Sequence, residues 1–406
     1  MPLIQPLAGL RPAPGYAAEV AAPPYDVVSL AEARALAAGR PWSFLHISRP
    51  EIDLPPDTDP YAPAVYAKAR ANLQQMLAAG VLVRDPCPHY YCYRLTMGDH
   101  CQTGLVAAAA VDAYHAGRIR RHELTRPAKE DDRVRQIAAL GAQTGPVFLV
   151  YPAQAAIDAS LTAVTSDPPA VDLTAADGVR HQLWPIADAA RIAVLTAACE
   201  DLPSLYIADG HHRSAAAARV AADPTTPDPH PSFLAVLFPH DQVRILAYNR
   251  VMRDLNGLTP AALLERIGGA FSVHASPTPV TPAAAGEFGL YLDRGWYRLR
   301  IHPRLIPAAD PVRRLDVSLL QDHLIGPVLG IADPRRDPRI DFVGGIRGLD
   351  GLCARVDSGE MRIAFALHPT DIGDLMAVAD AGALMPPKST WFEPKLADGL
   401  VSHVLD

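Results

Sequence analysis

A chain of 406 residues, 49% of them hydrophobic, is long enough to bury two or three cores and is neither fibrous nor disordered in composition. Its 37 basic and 44 acidic residues leave a net charge of -7, which gives no global electrostatic reason to bind nucleic acid or an anionic membrane. Any bound anion must be held locally. Five cysteines, an odd number in a long chain, argue against a disulfide framework and agree with a reducing compartment. The N-terminal stretch is broken by Pro2, Pro6, Pro12 and Pro14 and carries no basic n-region, and the longest apolar block, 104–111, is too short for a bilayer. A cytoplasmic protein with no membrane partner is expected.

In chain order, Ala22-Pro-Pro-Tyr-Asp-Val-Val-Ser leads into a helix at 30–38, with Ser29 as its N-cap and Tyr25 and Asp26 fixing the turn before it. Residues 42–49 read as the end of a strand that carries His46, Ser48 and Arg49, followed by Glu51. A helix follows at 64–79. Strands at 90–97 and 103–111 flank Gly98-Asp99 as a hairpin, where alternate side chains point to opposite faces. Cys87, His89, Cys92, His100 and Cys101 therefore lack the spacing of a zinc knuckle. Beyond the hairpin, helical periodicity runs over 131–140, 189–200, 214–222 and 260–269. Strand-like runs cover 147–151, 205–208, 233–238, 243–249, 290–292, 296–301 and 363–367. Proline-rich stretches at 166–172, 223–232 and 276–285 read as loops, and the glycine-rich run beginning at Val343 as turn chemistry. The fold class is α+β, a mixed α/β protein, with segments 1–165, 166–275 and 276–406 as its expected divisions.

The stretch with the clearest chemistry is Leu205-Tyr-Ile-Ala-Asp-Gly-His-His-Arg-Ser, a short apolar run, a tight turn and then an alanine-rich helix. Gly210 supplies the positive φ that a sharp turn needs, and Ser214 is read as the cap of the helix. Free amides at the helix start favour a phosphate, and His211, His212 and Arg213 add donors. The competing reading is an ordinary β-turn-α corner with solvated polar residues. Polar density is highest at 121–136, where His122-Glu123 leads into a helix that places Lys129, Asp132 and Arg133 on one face. A carboxylate beside a basic cluster is what hydroxyl activation next to phosphates requires, with Glu123 as base and lysine or arginine to offset charge. As a salt-bridged helix surface the same cluster needs no function. The segment ends at 147–151, a strand expected beside 205–208. Met385-Pro-Pro-Lys-Ser-Thr-Trp-Phe-Glu-Pro-Lys is unusually polar for a terminal region, and its Lys388 and Lys395 suit an anion wall. The familiar nucleotide, zinc-protease and nucleophile-elbow motifs are missing, and adjacent His211-His212 side chains diverge too much to share a metal.

Taken together, Pro-Pro-Tyr-Asp-Val-Val-Ser, His122-Glu123 with Lys129 and Asp132-Arg133, Gly145-Pro-Val-Phe, Ala208-Asp-Gly-His-His-Arg and the terminal lysine segment resemble the domain-of-unknown-function family numbered 1015 across almost the whole chain. The Asp-Gly-His-His-Arg turn is similar to the phosphate-binding turn of the ParB/sulfiredoxin superfamily, and most similar to that of its free serine kinases. That resemblance implies a ParB-like nucleotide-binding core in which Asp209, Gly210, His211, His212, Arg213 and Ser214 hold the phosphates of ATP or ADP with Mg²⁺. It also implies that His122-Glu123 acts on the hydroxyl of a small metabolite, a free serine-like amino acid first, with Lys129, Arg133 or Lys388 offsetting charge. The separation of Glu123 from Asp209 is much longer than in those kinases, so Asp188 and Glu51 stand as alternative bases. A nucleotide-binding regulatory or scaffold protein without turnover is the second reading, and a metal-dependent hydrolase using His211 and His212 the third. Nucleic acid is not expected as a partner, no residue is assigned to a resident metal, and a homo-oligomer is left open.

Overall fold

Gly98 adopts a φ of 61°, and the two-residue turn at Gly98-Asp99 sets Met97 opposite His100, which fixes the register of the longest hairpin in the protein. In this computed structural model, which describes residues 1–223 and 231–405, the hairpin strands Tyr90–Met97 and His100–Ala110 lie at the centre of the main sheet. From one edge, the strands of that sheet run Ile119–Arg120, Leu205–Asp209, Val147–Tyr151, Ser232–Pro239, His100–Ala110, Tyr90–Met97, Arg180–Ile186 and Val171–Thr174, and Ile4–Gln5 also pairs with His100–Ala110. Most pairs are antiparallel. Val147–Tyr151 runs parallel to Ser232–Pro239, and it lies beside Leu205–Asp209 with Tyr206 opposite Val150, as expected from the sequence. The mixed α+β class is what the chain adopts.

The chain forms two compact units, residues 1–243 with 394–406, and residues 244–393. These units cut across the three segments expected from the sequence. The reason is non-local pairing, because strands from 90–151 interleave in one sheet with strands from 171–239. In the first unit the helix His211–Ala221 packs on Pro127–Leu140, which packs on Pro63–Ala78. Ala215, Ala216, Ala217 and Ala218 are all buried, so small side chains let this helix lie close to its neighbours. In the second unit a six-stranded antiparallel sheet runs Phe271–Ser276, Gly295–Ile301, Glu287–Leu292, Ile363–Leu367, Tyr248–Met252 and Ile340–Gly344.

Several elements depart from the sequence reading for identifiable reasons. Residues 42–49 are not strand: Leu45–Ser48 is a short helix, because Phe44, Leu45 and Ile47 are all buried and a pleated strand cannot bury that spacing on one face. The run at 243–249 breaks at Ala247. Its first part, Arg244–Leu246, pairs with Trp391–Glu393, and Tyr248–Met252 joins the six-stranded sheet. The glycine-rich run is only partly turn, since Ile340–Gly344 is a strand and Gly348–Asp357 a helix. Helix Pro127–Leu140 begins four residues early, with Pro127 at its first position, where its missing N–H is harmless. Most of the proline-rich loop expected at 223–232 lies in 224–230, outside the described residues, and its last residue, Ser232, begins the strand Ser232–Pro239. Among the described residues, no helix is long and apolar enough to cross a membrane.

Candidate functional site

The strand Leu205–Asp209 slips register at its end: Ile207 faces Leu149 and Asp209 faces Phe148. A bulge at this point, of the kind that re-aims side chains beside sites, leaves Ala208 without a counterpart and turns Asp209 out of the regular alternation. Gly210 follows at φ 101° and is the N-cap of the helix His211–Ala221. A side chain at Gly210 would be strained by that φ and would meet Val147 Cα at 3.2 Å. Ser214 is therefore not the cap. It lies in the first turn, fully buried, and its hydroxyl donates to the carbonyl of His211 at 3.1 Å. No side chain caps this helix, and the first helical bond is Ser214 N–H to Gly210 O, which leaves the preceding amides at the positive end of the dipole.

Charge is gathered under the turn. The Arg213 guanidinium is buried and lies 3.3 Å from Asp209 and 3.7 Å from Asp26, and it also donates to the carbonyl of Pro146. Burial opposes its charge, yet Asp26 and Asp209 outweigh that and hold its pKa above the usual arginine value. Asp209 is half-buried, and desolvation raises its pKa, but Lys395 at 3.3 Å and Arg213 outweigh that and keep its carboxyl well below the ordinary range. Asp398 behaves in the opposite way. Burial lifts its carboxyl to about 7 against the pull of Arg213. Tyr25, Ser48, Arg133, Gln136, Arg213 and Asp398 line one cavity, and within it Ser48 Oγ, Arg213 Nε and Asp398 Oδ1 are buried without a hydrogen-bond partner. Unsatisfied buried polar atoms are costly, and three on one cavity are donors and acceptors set out for a polar guest.

The histidines form a different wall. His211 Nε2 accepts from the backbone N–H of His122 at 3.5 Å, and His212 Nε2 accepts from that of Arg126 at 2.9 Å. His212 thus ties the 121–126 loop to the helix start, with His211 adding a longer, weaker contact. Burial lowers the pKa of His211 well below its ordinary value and that of His212 to a lesser extent, and it brings His122 down to about 4. The positive charge at the turn comes from Arg213 and Lys395, with neutral imidazoles beside them. Glu123 is exposed, and its carboxylate lies within 4.8 Å of ring nitrogens of both His122 and His211.

The remaining expected residues divide. Arg133 is turned inward over the Tyr25 ring at 4.0 Å and is ion-paired to Asp132 at 2.6 Å, whereas Lys129 is exposed and lies over Tyr61 at 5.8 Å. Lys388 belongs to the second unit, with φ 59° and its ammonium 5.4 Å over the Tyr248 ring. The lysine that reaches Asp209 is Lys395, seven residues on. Asp188 caps the helix Ala189–Glu200, and Glu51 is paired with Arg49 at 2.6 Å, so both alternative bases have structural duties. Asp398 and the pairing of Tyr25 with Arg133 were missed; nothing local in the sequence marks either, though the Pro-Pro-Tyr-Asp string signals a fixed turn.

Residues 4–318 match the family described as "Protein of unknown function (DUF1015)". The chain belongs to that family. The DUF1015 match contains Tyr25, Asp26, His122, Glu123, Arg133 and the whole 209–214 turn, whereas Lys395 and Asp398 lie beyond it. No curated protein matches the chain. Among solved structures, this DUF1015 protein has slight likeness to a conserved hypothetical protein from Pyrococcus furiosus, at 14% identity over 73% of this chain and 94% of that one, TM-score 0.36. It has the same order of likeness to a free serine kinase in complex with AMP, at 13% identity over 73% and 92%, TM-score 0.35. A C-terminally truncated SbnI from Staphylococcus aureus gives 11% identity over 73% and 86%, TM-score 0.38.

Proposed function

We propose that this protein is a nucleotide-dependent phosphotransferase acting on the hydroxyl of a small metabolite, a free serine-like amino acid being the first candidate. The observation that carries the reading is the uncapped helix start at Gly210 set directly above a buried arginine whose Nε has no partner. Helix-start amides and an arginine fork together suit phosphate oxygens. The Asp-Gly-His-His-Arg string, which resembles the phosphate turn of the ParB/sulfiredoxin superfamily, points the same way.

Each residue then has a task. The amides of residues 211–213 and the Arg213 guanidinium bind the phosphates of ATP or ADP, and Lys395 offsets their charge. Asp209 is held anionic by two cations, which makes it a poor proton acceptor; it positions Arg213 and Lys395. His212 ties down the 121–126 loop, which keeps the Glu123 carboxylate within 4.8 Å of a His211 ring nitrogen at the turn. The Glu123 carboxylate takes the proton of the substrate hydroxyl as that oxygen attacks the terminal phosphorus, and the nucleotide leaves one phosphate shorter. Mg²⁺ prefers oxygen to imidazole ligands, so the carboxylates near the turn, Asp209 and Glu123, are the residues that would hold it alongside the nucleotide. When bound it neutralises charge on the phosphates.

The test is incubation with ATP or ADP, Mg²⁺ and a panel of hydroxy amino acids. A phosphorylated amino acid is expected. Tight nucleotide binding with no product from any member would move the protein to the holding, non-transferring role.

A further inference from the structure

The wall of the site made by His122, Glu123 and His211 has a chemistry that phosphate binding leaves unused. The two imidazoles meet edge to face, with ring centroids 4.5 Å apart and planes at 86°. His122 has one ring nitrogen bonded to the carbonyl of Ile207, and its other, Nδ1, is buried with no partner. That arrangement fixes the tautomer, with Nε2–H donating to the carbonyl and the Nδ1 lone pair left unused. A metal-ligating histidine is oriented in the same way, by donating its second nitrogen to a backbone carbonyl. His211 Nε2 meets only a long 3.5 Å contact from the His122 amide, so its lone pair is also weakly used. One donor atom each from His122, Glu123 and His211 lie within 4.8 Å of one another.

We infer that His122, Glu123 and His211 form a binding site for a borderline divalent cation of the zinc and cobalt class. Zinc bonds of 2.0–2.1 Å place tetrahedral ligands about 3.4 Å apart, so from ligand atoms within 4.8 Å of one another closing the set asks for movements of no more than about 1.4 Å, with the exposed Glu123 side chain the freest of the three to move. Two imidazoles and one carboxylate are the donor set of open zinc sites and of facial-triad iron sites, and they discriminate against magnesium, which takes oxygen ligands. Charge around the site is mixed. Asp209 favours a cation here, and Arg121 opposes it. Among the described residues this is the one group of histidine, cysteine and acidic side chains with ligand atoms so close together. It differs from the His211-His212 pair considered from the sequence, whose second ring is turned to the Arg126 amide.

This inference does not depend on phosphoryl transfer, because binding is read on the full-length protein without nucleotide. If the proposed transfer also holds, zinc takes the carboxylate assigned as base and inhibits the reaction. If transfer fails, metal binding stands unaffected. The experiment is titration of chelator-treated protein with Co²⁺, followed by visible absorption and equilibrium dialysis, with Zn²⁺ and Mg²⁺ as competitors. One Co²⁺ per chain is expected, with the d–d bands of a four- or five-coordinate ion, displaced by Zn²⁺ and not by excess Mg²⁺. His122→Ala and His211→Ala abolish uptake. Glu123→Gln, at an exposed position that leaves the fold intact by circular dichroism, weakens it at least about tenfold, since even outer partners of a metal site are worth that much. Absence of saturable uptake, uptake unchanged in Glu123→Gln, or uptake removed by Cys87→Ser and Cys101→Ser instead would each overturn the site.

Discussion

Each compact unit buries an arginine, and the two are held in opposite ways. Arg250, in the unit of residues 244–393, donates to the carbonyl of Tyr248 and to that of Pro387 at 3.3 Å, and lies over the Phe342 ring at 5.2 Å. Burial without a carboxylate partner brings its pKa down to about 10. Arg213, in the other unit, is surrounded by Asp26, Asp209 and Asp398, and its pKa is held above the ordinary value despite burial. Arg250 is a clamp between carbonyls, sufficient for structure. Arg213 stands in a concentration of charge far greater than packing needs, with one nitrogen left unpartnered. Under the proposed function, that unpartnered nitrogen of Arg213 is what a phosphate would meet.

That contrast breaks most visibly on removal of each side chain. Arg213→Ala leaves Asp26, Asp209 and Asp398 facing one another, and is expected to cost about 3–5 kcal/mol in urea unfolding and to abolish nucleotide binding by calorimetry. Arg250→Met leaves only carbonyls unmet, and should cost no more than about 1–2 kcal/mol with nucleotide affinity unchanged. The reverse order of stabilities would remove the distinction. Next in size is Glu123→Gln, which should lower product formation by about 100-fold or more while nucleotide still binds, as loss of a general base requires.

A pH prediction sharpens the comparison further. The folded-state pKa of Asp398, about 7, lies above the ordinary 3.8, so the folded protein binds that proton more tightly than the unfolded chain does. The stability this gives is fully present below about pH 4 and is lost as pH rises through 7. Asp398→Asn removes the ionisable group, so its stability relative to the parent protein should rise between pH 4 and pH 8 in thermal melts. A flat difference across that range would show that Asp398 is already ionised at low pH. The smallest effect belongs to His212→Ala, which frees the Arg126 amide and should speed hydrogen exchange in the 121–126 loop with little change in global stability.

The parts of the site that were legible in the sequence are those whose reasons are local. Gly210 needed its φ for a turn, and a β-strand had to precede it, as the structure shows. The His122-Glu123 pair was legible because polar density peaks there and a strand destined to lie beside Leu205–Asp209 follows. Ser214 was misread because serine is a common cap, yet a glycine in the left-handed region, four residues earlier, already starts the helix. Asp398 was invisible: an aspartate near a glycine reads as a turn, and only the fold sets it in the cavity with Arg213. Lys395 and Lys388 could not be ranked from the sequence, because the chain crosses from one unit to the other between them. In the second unit the edge strands were missed for a similar reason, since Ile340–Gly344 runs into glycines and is held by its pairing with Tyr248–Met252.

The measurement that bears most directly on the proposed function is phosphorus NMR of the protein incubated with ATP or ADP, Mg²⁺ and free serine. A new phosphomonoester resonance is expected, matched by loss of the terminal nucleotide phosphate and absent with Glu123→Gln. Unchanged nucleotide and serine signals under conditions where calorimetry shows the nucleotide bound, repeated across other hydroxy amino acids, would contradict it.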